Sequence, residues 1–204
     1  KASRENAAAA LLMERAWLHS AGNRIFLVDE LLPGLPESLQ VVVNDGRGEA
    51  EMRDSRRDKL RDPVATSRLL IWLRQAGIGR GIGGIPEETR WLVVLDDDVF
   101  VNLERLYRLL QRHPSPDHPV AFAHVLSNTE VYDFDMPCLE SGALVLNRQA
   151  VDRLREVTSC KACPYIGSES ISLAYCMLVN AVPLVHVPAM HCHAEATGDA
   201  DRDL

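Results

Sequence analysis

The sequence has no apolar run that approaches the roughly 20 residues needed to span a membrane. Its first apolar stretch, AAAALLM at residues 7–13, lacks the basic leader and cleavage pattern of a signal peptide, so it predicts a helix. The chain also has no initial methionine. We therefore expect a fragment of a longer protein, whose anchor or targeting segment lies upstream of Lys1.

An excess of positive charge is absent as well. The 204 residues carry 22 Lys and Arg against 29 Asp and Glu, a net charge of −7, and such a balance argues against general nucleic-acid binding. A hydrophobic content of 47% is ordinary for a soluble globular protein. We predict one domain over residues 1–204, with a charged loop at 46–62, a glycine-rich connector at 77–86 and a polar tail at 194–204.

The five cysteines cannot all pair with one another. Cys160 and Cys163 form a CxxC motif without a second ligand pair at a suitable spacing, although His191 and His193 could complete a zinc site. The motif alone leaves a zinc site, a disulfide and buried thiols open.

Strand and helix patterns alternate along the chain. Helices are predicted at 4–19, 62–75, 103–112, 148–157 and 168–180, and strands at 24–30, 40–45, 90–95, 119–125, 142–147 and within 182–193. The apolar run at 90–95 is typical of a strand buried on both faces. The GxGxxG at residues 79–84 follows a helix and precedes a strand, so it is not a dinucleotide fingerprint. The class is α/β with a mainly parallel central sheet flanked by helices.

Three consecutive aspartates, Asp96 to Asp98, follow the run at 90–95. Ligands of such sheets bind at the carboxyl ends of strands. Ionised carboxylates this close repel one another unless a cation or donors offset the charge, and oxygen ligands suit Mg²⁺ or Mn²⁺ with a bound phosphate. Alternatively, the aspartates only solubilise and cap the following helix, for which Asn102 already supplies a cap. The spacing leaves both interpretations open.

WLVVLDDDVFVNLERLYRLLQ, residues 91–111, resembles the aspartate-triplet region of the fringe-like β-1,3-glycosyltransferases. Segments 16–30, 138–154 and 167–193 resemble, in order, the family's Thr-Trp segment, its glycine-rich segment, and its acidic pair followed by Phe-His-x-His. The resemblance implies a GT-A (Rossmann-like) fold, Mn²⁺ (or Mg²⁺) and a UDP-sugar donor. The family's first strand has no counterpart before Lys1, so we expect either a truncated chain or altered donor binding.

The resemblance also implies site residues. The metal ligands would be Asp96, Asp98 and His191, the nucleotide contacts would be Asp29, Asp96, Asp97, Gly142 and Ala143, and the catalytic base would be Glu169. Each residue also has a structural interpretation: Glu169 as a first-turn glutamate, His191 as a strand-end histidine with His193 as its competitor, and Asp29 as a turn residue. Trp17 and Trp91 are interpreted as core residues rather than sugar platforms.

By resemblance, the protein would be an inverting transferase of the Golgi lumen, a type II membrane protein anchored outside this chain. It would move a hexose or N-acetylhexosamine from UDP to a glycan or glycoprotein through a β-1,3 linkage, with a disulfide from Cys163 to Cys176. The alternatives are an inactive fringe-like binding module, favoured by Ser170 at the second acidic position, and a Mg²⁺-dependent phosphohydrolase. Leu144 replaces a family glycine, and we expect it to narrow the sugar pocket or to change the permitted donor.

Overall fold

The computed structural model describes residues 7–21, 23–28, 31–43, 68–75, 84–96, 99–113, 117–127, 137–156 and 169–190. The helices are α1 (Ala7–Ala16), α2 (Arg68–Gln75), α3 (Leu103–Arg112), α4 (Arg148–Arg155) and α5 (Glu169–Val179). The strands are β1 (Phe26–Val28), β2 (Gln40–Val42), β3 (Trp91–Leu95), β4 (Ala121–Ser127), β5 (Pro137–Asn147) and β6 (Leu184–His186). This alternation of strands and helices confirms the α/β class.

The strands of the described part form two sheets. β1 and β2 pair in parallel, and a four-stranded sheet has the order β3-β5-β4-β6. β5 pairs antiparallel with both β3 and β4, while β6 runs parallel to β4. The prediction of a mainly parallel sheet is therefore wrong for the larger sheet. The segment between β4 and β5 is shorter than the dozen or more residues that a parallel crossover needs.

β3 is an edge strand, although its sequence predicts a strand in the middle of the core. Its side chains do contact core residues on both faces, since Trp91 and Val93 pack with α3 while Leu92 and Val94 pack on the main core. All five residues are nevertheless only half-buried, because no described strand pairs with the outer edge. A continuous apolar run thus indicates that both faces of a strand are covered. It does not indicate that the strand lies in the middle of the sheet.

The main core lies between the four-stranded sheet and helices α2, α4 and α5. Leu69, Leu70 and Leu73 of α2 are 1%, 5% and 0% exposed, as their spacing predicts. α2 also contacts β1, so it connects the two sheets on one face. A second, smaller core holds α1 against β1 and the segment that follows it, through Ala10, Phe26, Val28, Leu32 and Leu35.

Two asparagines begin helices. Asn102 caps α3 by accepting a hydrogen bond from the Arg105 amide at 3.0 Å, as the sequence predicts. Asn147 caps α4 by accepting from the Ala150 amide at 2.9 Å. Its Oδ1 also accepts from the Val120 amide at 2.9 Å, and its Nδ2 donates to the His118 carbonyl at 2.9 Å. Asn147 therefore connects the start of α4 to the start of β4.

Several predicted segments lie outside the described residues: the charged loop at 46–62, most of the connector at 77–86 and the tail at 194–204. The single-domain organisation over residues 1–204 remains a prediction. Among the described helices, none has the length and apolar character needed to cross a membrane.

Candidate functional site

Three strand ends meet at one edge of the four-stranded sheet, which we call the carboxyl edge. Because β3 and β4 are both antiparallel to β5, and β6 is parallel to β4, the carboxyl ends of β3, β4 and β6 lie together there. Leu95 is the register partner of Ala143, and Ala123 is the partner of both Leu144 and His186. Ligands of open α/β sheets bind at such an edge.

Asp96 lies at the carboxyl edge because it directly follows Leu95. Its side chain is half-buried, and its carbonyl accepts a hydrogen bond from the Val99 amide at 3.4 Å as the chain turns toward α3. The register pairs Ala143 with Leu95, the residue directly before Asp96, so two of the residues expected to contact the nucleotide lie at the same edge of the sheet. Asn102 supplies the side-chain cap of α3, so Asp96 is not needed for that role.

Glu169 is the first residue of α5, and its side chain lies outside the described residues. α5 packs on β5 and is joined to the start of β6 by a short turn in which the Val182 amide donates to the Met177 carbonyl at 2.8 Å. The helix therefore runs antiparallel to β6. Its amino end, with Glu169, faces the same side of the sheet as the carboxyl edge.

Most of the other proposed site residues lie in parts of the chain that the structure does not describe. Asp29, Asp97, Asp98 and His191 lie outside the described residues, and of Gly142 only the backbone is described, within β5. No group of three or more His, Cys, Asp or Glu side chains within the described ranges is arranged to hold a metal ion. Since Asp96 is the one proposed ligand that is described, the composition of a metal centre remains a prediction.

A cleft of about 650 Å³ lies between β1 and β3, with Asp96 on its wall. The chain contains three tryptophans, and all three of them, Trp17, Trp72 and Trp91, line this cleft. Trp17 is 8% exposed and meets Phe100 edge-on, with ring centroids 5.9 Å apart. The cleft therefore combines an apolar, aromatic lining with a carboxylate at the carboxyl edge, a combination typical of small-molecule sites.

A bidentate ion pair supports the wall of the cleft near α1. Arg24 donates to Glu14 through Nη2 at 2.6 Å and through Nε at 2.9 Å. This hydrogen bonding, opposed by burial, holds the pKa of Arg24 above its ordinary value. Because the pKa is raised, the stabilisation that Arg24 gains from the Glu14 carboxylate is present at neutral pH and is lost as Arg24 deprotonates in strong alkali.

The structure shows where Leu144 lies and that Cys176 is bonded. Leu144 is 6% exposed within the main core and is not among the residues that line the cleft, and its effect on a sugar pocket or on the permitted donor stays a prediction. Its side chain points to the core because alternate residues of a strand face opposite sides. Cys176 is disulfide-bonded, as the resemblance implies, and Cys163 remains the predicted partner.

Sequence analysis missed a pair of histidines at the carboxyl edge. The rings of His124 on β4 and His186 on β6 have centroids 4.8 Å apart. His186 Nδ1 accepts a hydrogen bond from the Val125 amide at 3.1 Å. The sequence contains one signal for this pair. In each strand, His-Val follows a small or β-branched residue, Ala123 in β4 and Val185 in β6.

Comparison with known proteins identifies the family. The profile of the Fringe-like family matches residues 78–203, a range that contains Asp96, Glu169 and both histidines. A beta-1,3-glucosyltransferase of Mus musculus is 31% identical over 104 residues, which are 50% of this chain and 20% of that protein. A beta-1,3-glucosyltransferase of Homo sapiens is 28% identical over 108 residues, 52% of this chain and 21% of that protein.

The chain matches about a fifth of the length of these curated relatives. The family profile, in contrast, covers more than half of the chain's 204 residues, and it includes the whole carboxyl edge of the four-stranded sheet. This protein belongs to the Fringe-like family.

Proposed function

We propose that the protein is a metal-dependent, inverting β-1,3-glycosyltransferase that uses a UDP-sugar. The observation that carries the proposal is the position of Asp96, at the carboxyl edge, on the wall of the cleft and within the family match. Both curated relatives are named beta-1,3-glucosyltransferase, which makes UDP-glucose the first donor to test among the hexoses and N-acetylhexosamines. The acceptor would be a hydroxyl of a glycan or glycoprotein.

Asp96, Asp98 and His191 would hold Mn²⁺ or Mg²⁺, with Asp98 as the principal ligand. Carboxylate oxygens are the donors that both ions prefer, and Asp96 is a half-buried carboxylate at the edge where a nucleotide phosphate would lie. When bound, such an ion supplies positive charge that stabilises the departing diphosphate. Asp29, Asp96, Asp97, Gly142 and Ala143 would contact the nucleotide.

Glu169 would act as the general base at the amino end of α5. Its carboxylate would accept the proton of the acceptor hydroxyl while that oxygen attacks the anomeric carbon from the face opposite UDP. The bond between the anomeric carbon and the UDP oxygen breaks as the new glycosidic bond forms, and the configuration is inverted. The direction of α5 supports this role, because its first residue faces the side of the carboxyl edge.

A secretory-pathway location is part of the proposal. Structural disulfides persist in oxidising compartments such as the secretory pathway, and Cys176 is disulfide-bonded. This supports a location in the Golgi lumen, where the protein would be attached through a type II anchor outside this chain.

Binding and transfer can be tested separately. Because the three tryptophans line the cleft, their fluorescence should change when UDP is added with Mn²⁺. Replacing Asp96 with Asn should weaken Mn²⁺-dependent UDP binding at least about tenfold, a loss of about 1.4 kcal/mol. The matched control is Asp117→Asn, because Asp117 is an exposed aspartate just before β4, at the opposite end of the sheet.

Transfer is then measured with UDP-glucose, UDP-galactose and the two UDP-N-acetylhexosamines, using radiolabelled sugar and glycan acceptors. Sugar transfer that needs Mn²⁺ and is abolished by Glu169→Gln supports the mechanism. UDP binding without transfer to any acceptor would identify the inactive binding module instead, and release of phosphate without an acceptor would identify a phosphohydrolase. No effect of Mn²⁺ on UDP binding would refute the metal-dependent proposal.

A further inference from the structure

His186 is the last residue of β6, and a hydrogen bond from the neighbouring strand holds its ring at the carboxyl edge. β4 continues beyond the end of β6, and the Val125 amide donates to His186 Nδ1 at 3.1 Å. An amide N–H can only donate, so Nδ1 is the nitrogen without a proton, and the proton of the neutral imidazole lies on Nε2. The backbone of β4 therefore sets both the orientation and the tautomer of this side chain.

A second ring contacts His186 at the same level of the sheet. The register of β4 on β5 shifts between Ala123 and Val125, so the irregularity falls at His124. Irregularities of this kind re-aim side chains and are common next to active sites. The ring of His124 lies against that of His186, with centroids 4.8 Å apart and the ring planes inclined by 51°. β4 thus holds His186 twice, through a hydrogen bond and through a ring contact.

The other nitrogen of His186 is open to solvent. The residue is exposed, and within the described part of the chain no group accepts a hydrogen bond from Nε2. Nε2–H is therefore a donor that the fold orients but does not use. A donor that is already ordered can bind a ligand without the entropy cost of immobilising a side chain.

The position of His186 along the carboxyl edge indicates what this donor can bind. β5 and β4 lie between β3 and β6, so the end of β6 is three strand spacings, about 14 Å, from the end of β3 and Asp96. In the proposed function, the diphosphate lies at Asp96. A sugar attached directly to that diphosphate covers only the nearer part of this distance. The remaining part, at the ends of β4 and β6, is left for the acceptor.

We propose that His186 contacts the acceptor: its Nε2–H donates a hydrogen bond to a hydroxyl oxygen of a glycan that lies at the ends of β4 and β6. A neutral N–H donor suits an uncharged hydroxyl oxygen, which accepts through its lone pairs. The inference rests on the proposed function, which requires a glycan acceptor. The contact holds and orients the acceptor, and it transfers no proton.

Two variants of His186 separate contact with the glycan from support of β6. His186→Asn keeps the bond to Val125, because the amide Oδ1 can occupy the place of Nδ1, and it removes the donor at Nε2. His186→Gln places an amide N–H close to the position of Nε2 but removes the acceptor at Nδ1. The matched control is His118→Asn, because His118 is an exposed histidine just before β4, at the opposite end of the sheet.

The probes are methyl β-glucoside, methyl β-galactoside and methyl β-N-acetylglucosaminide, titrated into the protein without UDP or Mn²⁺. Long-range proton–nitrogen NMR spectra of the histidine rings show which nitrogen carries the proton, and the backbone amides of Val125 and Val187 report binding in every variant. In the wild type, the proton of His186 should lie on Nε2, and at least one glycoside should shift the Nε2 resonance.

His186→Asn should weaken binding of that glycoside about three- to tenfold, the size expected for one hydrogen bond. His186→Gln should retain most of the affinity although it loses the bond to Val125, and His118→Asn should match the wild type. A residue that only supports the end of β6 would give the opposite order, with His186→Gln weaker than His186→Asn.

The inference is overturned if the proton lies on Nδ1, if none of the three glycosides shifts the His186 resonances, or if His186→Asn binds as tightly as the wild type. In the transfer assay, an unchanged KM for the acceptor in His186→Asn would refute the contact while the proposed function stands. Glycoside binding that depends on His186, in a protein that transfers no sugar, would support the contact and refute the transferase.

Discussion

Replacing Asn147 by Ala should destabilise the protein far more than the loss of a single exposed helix cap. Asn147 is 0% exposed, and its Oδ1 accepts from both the Val120 and the Ala150 amides. Losing the cap on Ala150 costs about 1 kcal/mol. The buried Val120 amide, left without its acceptor, adds about 1–3 kcal/mol. The His118 carbonyl, on an exposed residue, can bond to water instead.

The expected loss is therefore about 3 kcal/mol, a large share of the roughly 5–15 kcal/mol that stabilises a typical domain. For a protein of this length, the melting temperature should fall by roughly 10 °C. Urea denaturation followed by circular dichroism gives the free energy of unfolding from the midpoint and slope.

Asn102→Ala is the matched control, because Asn102 is an exposed asparagine that caps α3 through a single bond to Arg105. Its loss should cost about 1 kcal/mol or less. Asn147→Ser should fall between the two alanine variants, because the shorter hydroxyl can cap α4 but cannot also reach Val120. If Asn147→Ala costs no more than Asn102→Ala, the reasoning that a buried side chain connects α4 to β4 is refuted.

Two further predictions concern the ion pair of Arg24 with Glu14 and the disulfide of Cys176. Glu14→Gln should lower the free energy of unfolding by about 1–2 kcal/mol, because Arg24 loses a partly buried bidentate partner; an unchanged urea midpoint would contradict this. Thiol labelling of the unfolded, unreduced protein should detect Cys176 in Cys163→Ser but not in Cys160→Ser. Labelling of Cys176 in the Cys160 variant alone would instead make Cys160 the partner.

The helices and most strands were predictable because their signals are local. Asn102 has the correct side chain at the correct place to cap α3, and the leucines of α2 recur at helical spacing. The order of the strands in a sheet, in contrast, is not determined by local sequence. The run Trp91–Leu95 has the same apolar character whether it lies in the middle or at the edge of a sheet, provided that helices cover both faces. Only pairing partners distant in sequence decide which position it takes.

The candidate site was predictable in part for the same reason. Asp96 was identified because unusual residues follow a strand signal, and the sheet register pairs the residue before it, Leu95, with Ala143. The contact of His186 was not predicted because a single histidine in an apolar strand is ordinary, and its hydrogen-bond partner Val125 lies 61 positions away in the sequence. The burial of Leu144 in the main core was not predicted from the sequence, because it depends on the pairing of β5 with β3 and β4.

The division of the apolar interior into a main core and a smaller one has a consequence for how the protein opens. Among the described residues, the smaller core around Phe26 and Val28 has few members and lies beside a sheet of two strands. Short two-stranded units are marginally stable by themselves, and proteins open in cooperative parts of unequal stability. We therefore expect the amides of α1 to exchange before those of β4 and β5. Opening of α1 would expose the wall of the cleft that Met13 and Trp17 line, without global unfolding.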